Sequence, residues 1–68
     1  MRYEIEIRSG KRPEVIEPAT VDAFSVADAC REARELLRKR DGEVWIRRDG
    51  PFVTQRVAEH MERKGVQL

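Results

Sequence analysis

The sequence predicts an α+β fold, in which a small, mainly antiparallel sheet carries one long helix on one face and a shorter helix at its carboxyl-terminal end. Two observations predict it: apolar and charged residues alternate over 1–8, and apolar residues recur every three to four positions over 25–40. The first period is typical of a half-buried strand, and the second is typical of an amphipathic helix. At 68 residues, the chain is expected to form a single domain over 1–68.

The amino-terminal part of the chain predicts a β-hairpin of residues 2–8 with residues 14–21. The side chains that we expect to face a helix lie at the odd positions of the first strand: Met1, Tyr3, Ile5 and Ile7. Gly10 suits the turn between the strands. Pro18 lies within the second strand and has no backbone N–H for a ladder bond, so we expect that strand at an edge of the sheet.

The helix predicted over 25–40 begins at Ser25, which is a residue type that caps helices well. Its apolar side chains form one stripe: Val26, Ala29, Cys30, Ala33, Leu36 and Leu37. Phe24 precedes the cap and is expected to pack on Ala29 as a hydrophobic staple. Gly42 is the predicted end of the helix, because glycine readily adopts the left-handed conformation that terminates helices.

A third strand is predicted over 43–48, followed by a turn at 49–51. Two alternatives are open for the segment after this turn: a helix over 54–64 capped by Thr54, or a fourth strand over 52–57 that uses the same turn as a hairpin. We favour the helix, which gives the element order β-β-α-β-α. The predicted strand order is 2-1-3, because it leaves the proline-containing second strand at an edge.

Composition and charge argue against several classes of protein. The chain has 14 Lys and Arg against 13 Asp and Glu, and its net charge of +1 is spread without a like-charge block. No apolar run approaches the roughly 18 residues of a membrane span, so we expect no membrane association, and the charged start is unlike a signal peptide. The single cysteine, Cys30, cannot form an internal disulfide, which favours a cytoplasmic location.

The sequence offers no set of residues for catalysis, and we expect no enzyme activity, no cofactor and no metal site. His60 and Cys30 are the only His and Cys, which is too few for a zinc site. Cys30 belongs to the apolar stripe, so we expect a buried and unreactive thiol. The segment 9–11 reads Ser-Gly-Lys but lacks the other residues of a phosphate-binding loop.

Trp45 is the residue that most needs an explanation. If Val44 and Ile46 face the first helix, Trp45 lies on the opposite, charged side of the sheet. Three explanations are open. The second helix or the tail 66–68 covers the indole, a second copy of the chain covers it, or the indole contacts another molecule. Because Trp and Arg are enriched in binding hot spots, the candidate interaction surface consists of Trp45, Arg47, Arg2 and Arg8.

The predicted function is that of a small, non-enzymatic, cytoplasmic interaction protein that binds another protein or itself. A domain of this size buries only about 60% of the surface that its unfolded chain exposes, so a homodimer would add needed stability. The alternative is a nucleic-acid-binding accessory protein, in which Trp45 stacks on bases and the surrounding arginines contact phosphates. The same face carries three carboxylates, which would repel a phosphate backbone: Glu4, Glu6 and Glu43. The nucleic-acid prediction is therefore the weaker one.

The layout of residues 3–37 resembles the small β-β-α domains of many bacterial and phage proteins, which points to a bacterial or phage protein. The helix is similar in spacing to that of HicB-type antitoxins, and the residues that carry the similarity are Phe24, Ser25, Ala29, Ala33, Leu36 and Leu37. The chain lacks the glycine-rich hairpin and the proline–glycine strand of that family. The resemblance therefore implies no functional residue in this chain.

Overall fold

The computed structural model describes residues 1–38 and 41–68. Its elements are β1 (Arg2–Ser9), β2 (Val15–Asp22), α1 (Val26–Leu37), β3 (Glu43–Arg47), β4 (Val53–Thr54) and α2 (Gln55–Arg63). All paired strands are antiparallel, in the order β2-β1-β3-β4. The α+β class, the antiparallel sheet and the two helices are confirmed, whereas the prediction of three strands is wrong by one.

The additional strand is a two-residue extension of the sheet that precedes α2. Val53 pairs with Ile46, and Thr54 pairs with Trp45. The hydroxyl of Thr54 then accepts the backbone N–H of Val57 at 3.3 Å, which caps α2. The turn after β3 thus returns the chain to the sheet edge, and the capping threonine ends the strand almost at once. The favoured helix, with Thr54 as its cap, is therefore confirmed, and of the alternative strand over 52–57 only Val53 and Thr54 form.

Helix α1 begins where it was predicted to begin, and it ends earlier. The Ser25 hydroxyl accepts the backbone N–H of Asp28 at 3.2 Å, as expected of an N-cap. The last helical residue is Leu37, and Arg38 follows with a φ of 55°. A positive φ is incompatible with a continuing right-handed helix, so the predicted end at Gly42 is wrong. Residues 39 and 40 of the predicted helix lie outside the described residues.

Gly42 has a packing role where the chain passes from α1 into β3. A Cβ atom on this residue would lie 2.8 Å from Leu37 Cδ2 and 3.1 Å from the carbonyl oxygen of Arg8. Real Cβ atoms essentially never come within 3.0 Å of a heavy atom in a residue that is not their chain neighbour. The glycine therefore lets the connection pack closely against the end of α1 and against β1.

Both helices lie on the same face of the sheet, and the core fills the space between them and the strands. The buried residues are Tyr3, Ile5, Ile7, Val26, Ala29, Cys30, Ala33, Leu37, Val44, Ile46 and Ala58. The odd residues of β1 face this core, as predicted, whereas Met1 and Leu36 remain half-exposed. Because Val44 and Ile46 face the core as well, Trp45 lies on the other side of the sheet, which confirms the predicted placement of the indole.

The predicted hydrophobic staple before α1 does not form. Ala29 is fully buried, whereas 92% of Phe24 is exposed. A different contact closes this end of the helix: the carboxylate of Glu62 in α2 accepts the backbone N–H of Val26 at 2.7 Å. A carboxylate at this position also interacts favourably with the helix dipole. Phe24 consequently remains on the surface, beside the end of β2.

Candidate interaction surface

The face of the sheet turned away from the helices is the candidate surface, and we call it the open face. No described helix or strand lies over it. Residues directly opposite each other on antiparallel strands point to the same side, so the register assigns its members. They are Arg2, Glu4, Glu6, Arg8, Ile16, Pro18, Thr20, Asp22, Glu43, Trp45, Arg47 and Thr54, joined by Phe52, whose ring lies under Arg47.

Trp45 lies in the middle of the open face and is held by its neighbours. The guanidinium carbon of Arg8 lies 3.9 Å from the centroid of the indole ring. Arg8 also donates to the carboxylate of Glu6 at 2.6 Å, so the cation over the ring is itself anchored. The indole N–H donates to the carboxylate of Glu43 at 3.2 Å. The result is a half-buried indole between two strands, with its polar atom satisfied.

The same arrangement recurs one row further along the strands. The guanidinium carbon of Arg47 lies 4.5 Å from the centroid of the Phe52 ring, and its Nε donates to the carboxylate of Glu4. Phe52 was not identified as a site residue from the sequence. The available signal was an aromatic residue next to a Gly-Pro turn, but its side could not be assigned while the strand after the turn was undecided.

The structure brings three of the four predicted site residues together and separates the fourth. Trp45, Arg47 and Arg8 occupy adjacent rows on β3 and β1. Arg2 lies four residues from the β1 partner of Trp45, which corresponds to roughly 14 Å along a strand. It is opposite Asp22 of β2 in the register. Arg2 therefore marks the margin of the open face.

One of the three explanations for Trp45 is wrong. Neither α2 nor the tail covers the indole, because Ala58 of α2 and the terminal Leu68 pack against the core on the other face. Part of the cover comes from Arg8, which was predicted to belong to the same surface as the indole. Cover by a second copy of the chain, and contact with another molecule, both stay predictions.

The charges of the open face nearly cancel. Its cations are Arg2, Arg8 and Arg47, and its anions are Glu4, Glu6, Asp22 and Glu43, so three positive and four negative groups give −1. Two of the three arginines form ion pairs with glutamates of the same face. A surface of this kind does not attract a polyanion by its net charge.

The remaining candidates lie away from this surface. Cys30 is fully buried in α1, as predicted. Burial raises the pKa of its thiol to about 11, Glu59 and Glu62 add to the rise, and Arg34 opposes it. His60 is exposed on α2. Within residues 1–38 and 41–68, no three His, Cys, Asp or Glu side chains are grouped so that they could hold a metal ion.

The described helices include none with the length and apolar character needed to cross a bilayer.

Comparison with protein-family models gives no match, and neither the curated proteins nor the solved structures give a significant one. The similarity of α1 to the helix of HicB-type antitoxins therefore remains a likeness of spacing. Any function assigned to this chain rests on its own surface.

Proposed function

We propose that this chain is a small, non-enzymatic interaction module that binds another protein through its open face. One observation supports it above the others: Trp45 and Phe52 each lie under an arginine that is ion-paired to a glutamate. Trp and Arg are the residue types that contribute most to protein interfaces. Side chains already held in place lose less conformational entropy when a partner binds.

The pairing of the arginines favours a protein over a nucleic acid. A phosphate backbone would have to compete with Glu6 for Arg8 and with Glu4 for Arg47. A protein partner can use the rings and also complement both signs of charge, as specific interfaces commonly do. The proposal places the module in the cytoplasm, where the lone thiol of Cys30 would stay reduced.

The experiment compares three immobilised chains as baits for proteins of the source cell: the natural chain, Trp45→Ala, and Val57→Ala. Val57 is a matched control because it is apolar and exposed but lies on α2, away from the open face. We expect specific partners to be retained by the natural chain and by Val57→Ala. Loss of a hot-spot side chain should weaken binding of a purified partner by at least about thirtyfold.

Trp45 is the only tryptophan, so its fluorescence reports directly on the surface in the purified complex. Partners retained equally by all three chains, with no change in this fluorescence, would contradict the proposal. Heparin and a single-stranded oligonucleotide test the alternative in parallel. Tight binding of either that weakens steeply with added salt would favour nucleic acid, because phosphate contacts release counterions.

A further inference from the structure

Strand β2 lies at an edge of the sheet, and its outward backbone groups can be assigned from its pairing with β1. The Ala23 N–H donates to the Met1 carbonyl at 2.9 Å, and the Met1 amino group donates to the Ala23 carbonyl at 2.9 Å. In antiparallel ladders such hydrogen-bonded pairs alternate with pairs whose backbone groups point away. The odd residues of β2 therefore bond to β1. The residues whose backbone groups point outward are Ile16, Pro18, Thr20 and Asp22.

Because of the proline, the β2 edge has fewer outward hydrogen-bond donors than acceptors. Four carbonyls point outward but only three N–H groups do, because Pro18 has none. Consider a second copy of β2 placed antiparallel against the first. A register that pairs Ile16 with Asp22 and Pro18 with Thr20 gives six hydrogen bonds and satisfies every outward N–H of both copies.

Other registers satisfy fewer groups. A slide of two residues in one direction places Pro18 opposite Pro18, where no bond forms, and leaves Asp22 opposite a residue before the start of β2. A slide in the other direction places Ile16 opposite Phe24, which lies beyond the end of β2. Proline at an edge usually prevents pairing. In β2, however, the proline leaves one register in which every outward N–H group of both copies forms a hydrogen bond.

We propose that β2 is a self-complementary edge through which two copies of the chain form one continuous eight-stranded sheet. The two copies are related by a two-fold axis at Ala19, as expected of an isologous dimer interface. Glu17 then faces Val21 of the other copy, and Asp22 faces Ile16. No two acidic residues are directly opposite, so the register avoids the like-charge pairs that destabilise sheets.

The exposed apolar residues at the two ends of β2 support the same arrangement. At one end, Val15 and Ile16 are 49% and 46% exposed, and just beyond the other end Phe24 is 92% exposed. Antiparallel pairing brings the start of each β2 beside the end of the other copy. In this register Val15 of the second copy lies opposite Ala23, the residue before Phe24, so the exposed apolar residues at the ends of the two strands lie close together.

This inference uses the outward backbone groups of β2, whereas the proposed function uses the side chains of Trp45 and Phe52 at the other end of the open face, so either can fail without the other. In the dimer both open faces lie on the same side of the extended sheet, and the indoles of both copies remain accessible. Trp45→Ala is therefore expected to keep the mass of the natural chain. A Trp45→Ala variant that becomes monomeric would contradict the placement of the dimer contact on β2.

The first test changes one outward N–H. Thr20→Pro removes it, while the bonds between β2 and β1 remain because they use odd residues. Thr20→Val is the matched control, since it keeps the N–H and the branched side chain. We expect light scattering to give twice the 8.0 kDa chain mass for the natural chain and for Thr20→Val. Thr20→Pro should raise the dimer dissociation constant at least tenfold.

A natural chain that remains at the mass of one copy up to about 1 mM, a very weak association, would overturn the inference. So would a dimer that Thr20→Pro leaves unchanged. A second test does not depend on the folding of the proline variant. Ala19→Cys places two thiols across the axis in a non-hydrogen-bonded pair, where Cα atoms lie about 4.5 Å apart, within the range that disulfides span.

Glu17→Cys is the control for this cross-link, because the register separates the two copies of that residue by roughly 13 Å. Under mild oxidation, Ala19→Cys should form a covalent dimer rapidly, and Glu17→Cys should not. Cys30 does not compete, because it is fully buried. Equal cross-linking of the two variants, or none in either, would overturn the register.

Discussion

The two faces of the sheet are built from alternate residues of the same strands, yet different interactions stabilise them. On the covered face, Ile5 and Ile46 are essentially inaccessible to solvent beneath α1 and α2. On the open face, Trp45 is half-buried under a side chain from its own sheet, the guanidinium of Arg8. The difference shows that this chain forms one apolar layer with its helices and covers part of the other face with charged side chains.

The two kinds of interaction differ in size. Burial of an Ile side chain contributes about 1.5–3 kcal/mol. A cation–π contact at an exposed site contributes about 0.5–1 kcal/mol, and an exposed ion pair contributes about 0–1 kcal/mol. The covered face is therefore expected to maintain the fold. The open face can be changed with little loss of stability, which is the property that a binding surface needs.

The largest expected effect compares two neighbours on β3 that face opposite sides. Ile46→Ala should lower the free energy of unfolding by about 3–4 kcal/mol, because it leaves a cavity in a fully packed core. Trp45→Ala should lower it by less than half as much, although it removes a larger side chain. Urea unfolding followed by circular dichroism measures both. Equal losses would show that the open face contributes as much to the fold as the covered face.

The next largest effect concerns the covered face and is the dependence of its stability on pH. The pKa of Cys30 is raised by burial from 9.0 to about 11, so the unfolded chain loses this proton at a lower pH than the folded chain. Stability from this group is therefore complete below pH 9 and falls as the pH rises from about 9 to 11. A shift of this size corresponds to about 2–3 kcal/mol.

The control for the pH measurement is Cys30→Ala, which removes the titrating group from the same position. Burial also raises the pKa of Tyr3; Arg48 opposes the rise, and Glu62 and Cys30 add to it. Part of the loss of stability above pH 9 should therefore persist in the variant. A natural chain and a Cys30→Ala variant with the same pH dependence would show that the thiol is not buried in the folded protein.

The sequence predicts well which residues face the core and which form the open face, because the spacing of apolar residues that decides this is a local property of each element. Alternation over β1 and the stripe of α1 each follow from side-chain direction in a single element, and no distant contact is needed. The position of Trp45 on the open face follows from its two apolar neighbours on β3. The ion pairs that hold Arg8 and Arg47 also involve residues that the alternation places on the same face.

The parts that the sequence did not predict depend on contacts between elements. Phe24 fits the staple pattern, but Glu62 from α2 closes the start of α1, and no local pattern contains that contact. Gly42 fits a helix stop, but its role depends on the approach of Leu37 and β1. Phe52 could not be assigned to the open face until β4 was known.

The smallest expected effect tests whether charged side chains close the open face. Arg8→Gln removes the cation from the indole and the ion pair with Glu6, and should lower the free energy of unfolding by about 1 kcal/mol. Arg2→Gln is the matched control on the same strand and face, because Arg2 lies at the margin, away from Trp45. The tryptophan emission should shift to longer wavelength in Arg8→Gln alone, since only there does the ring gain contact with water. An equal shift or an equal loss of stability in the two variants would mean that Arg8 has no special role at the indole, and the open face would then differ from the covered face only in its exposure.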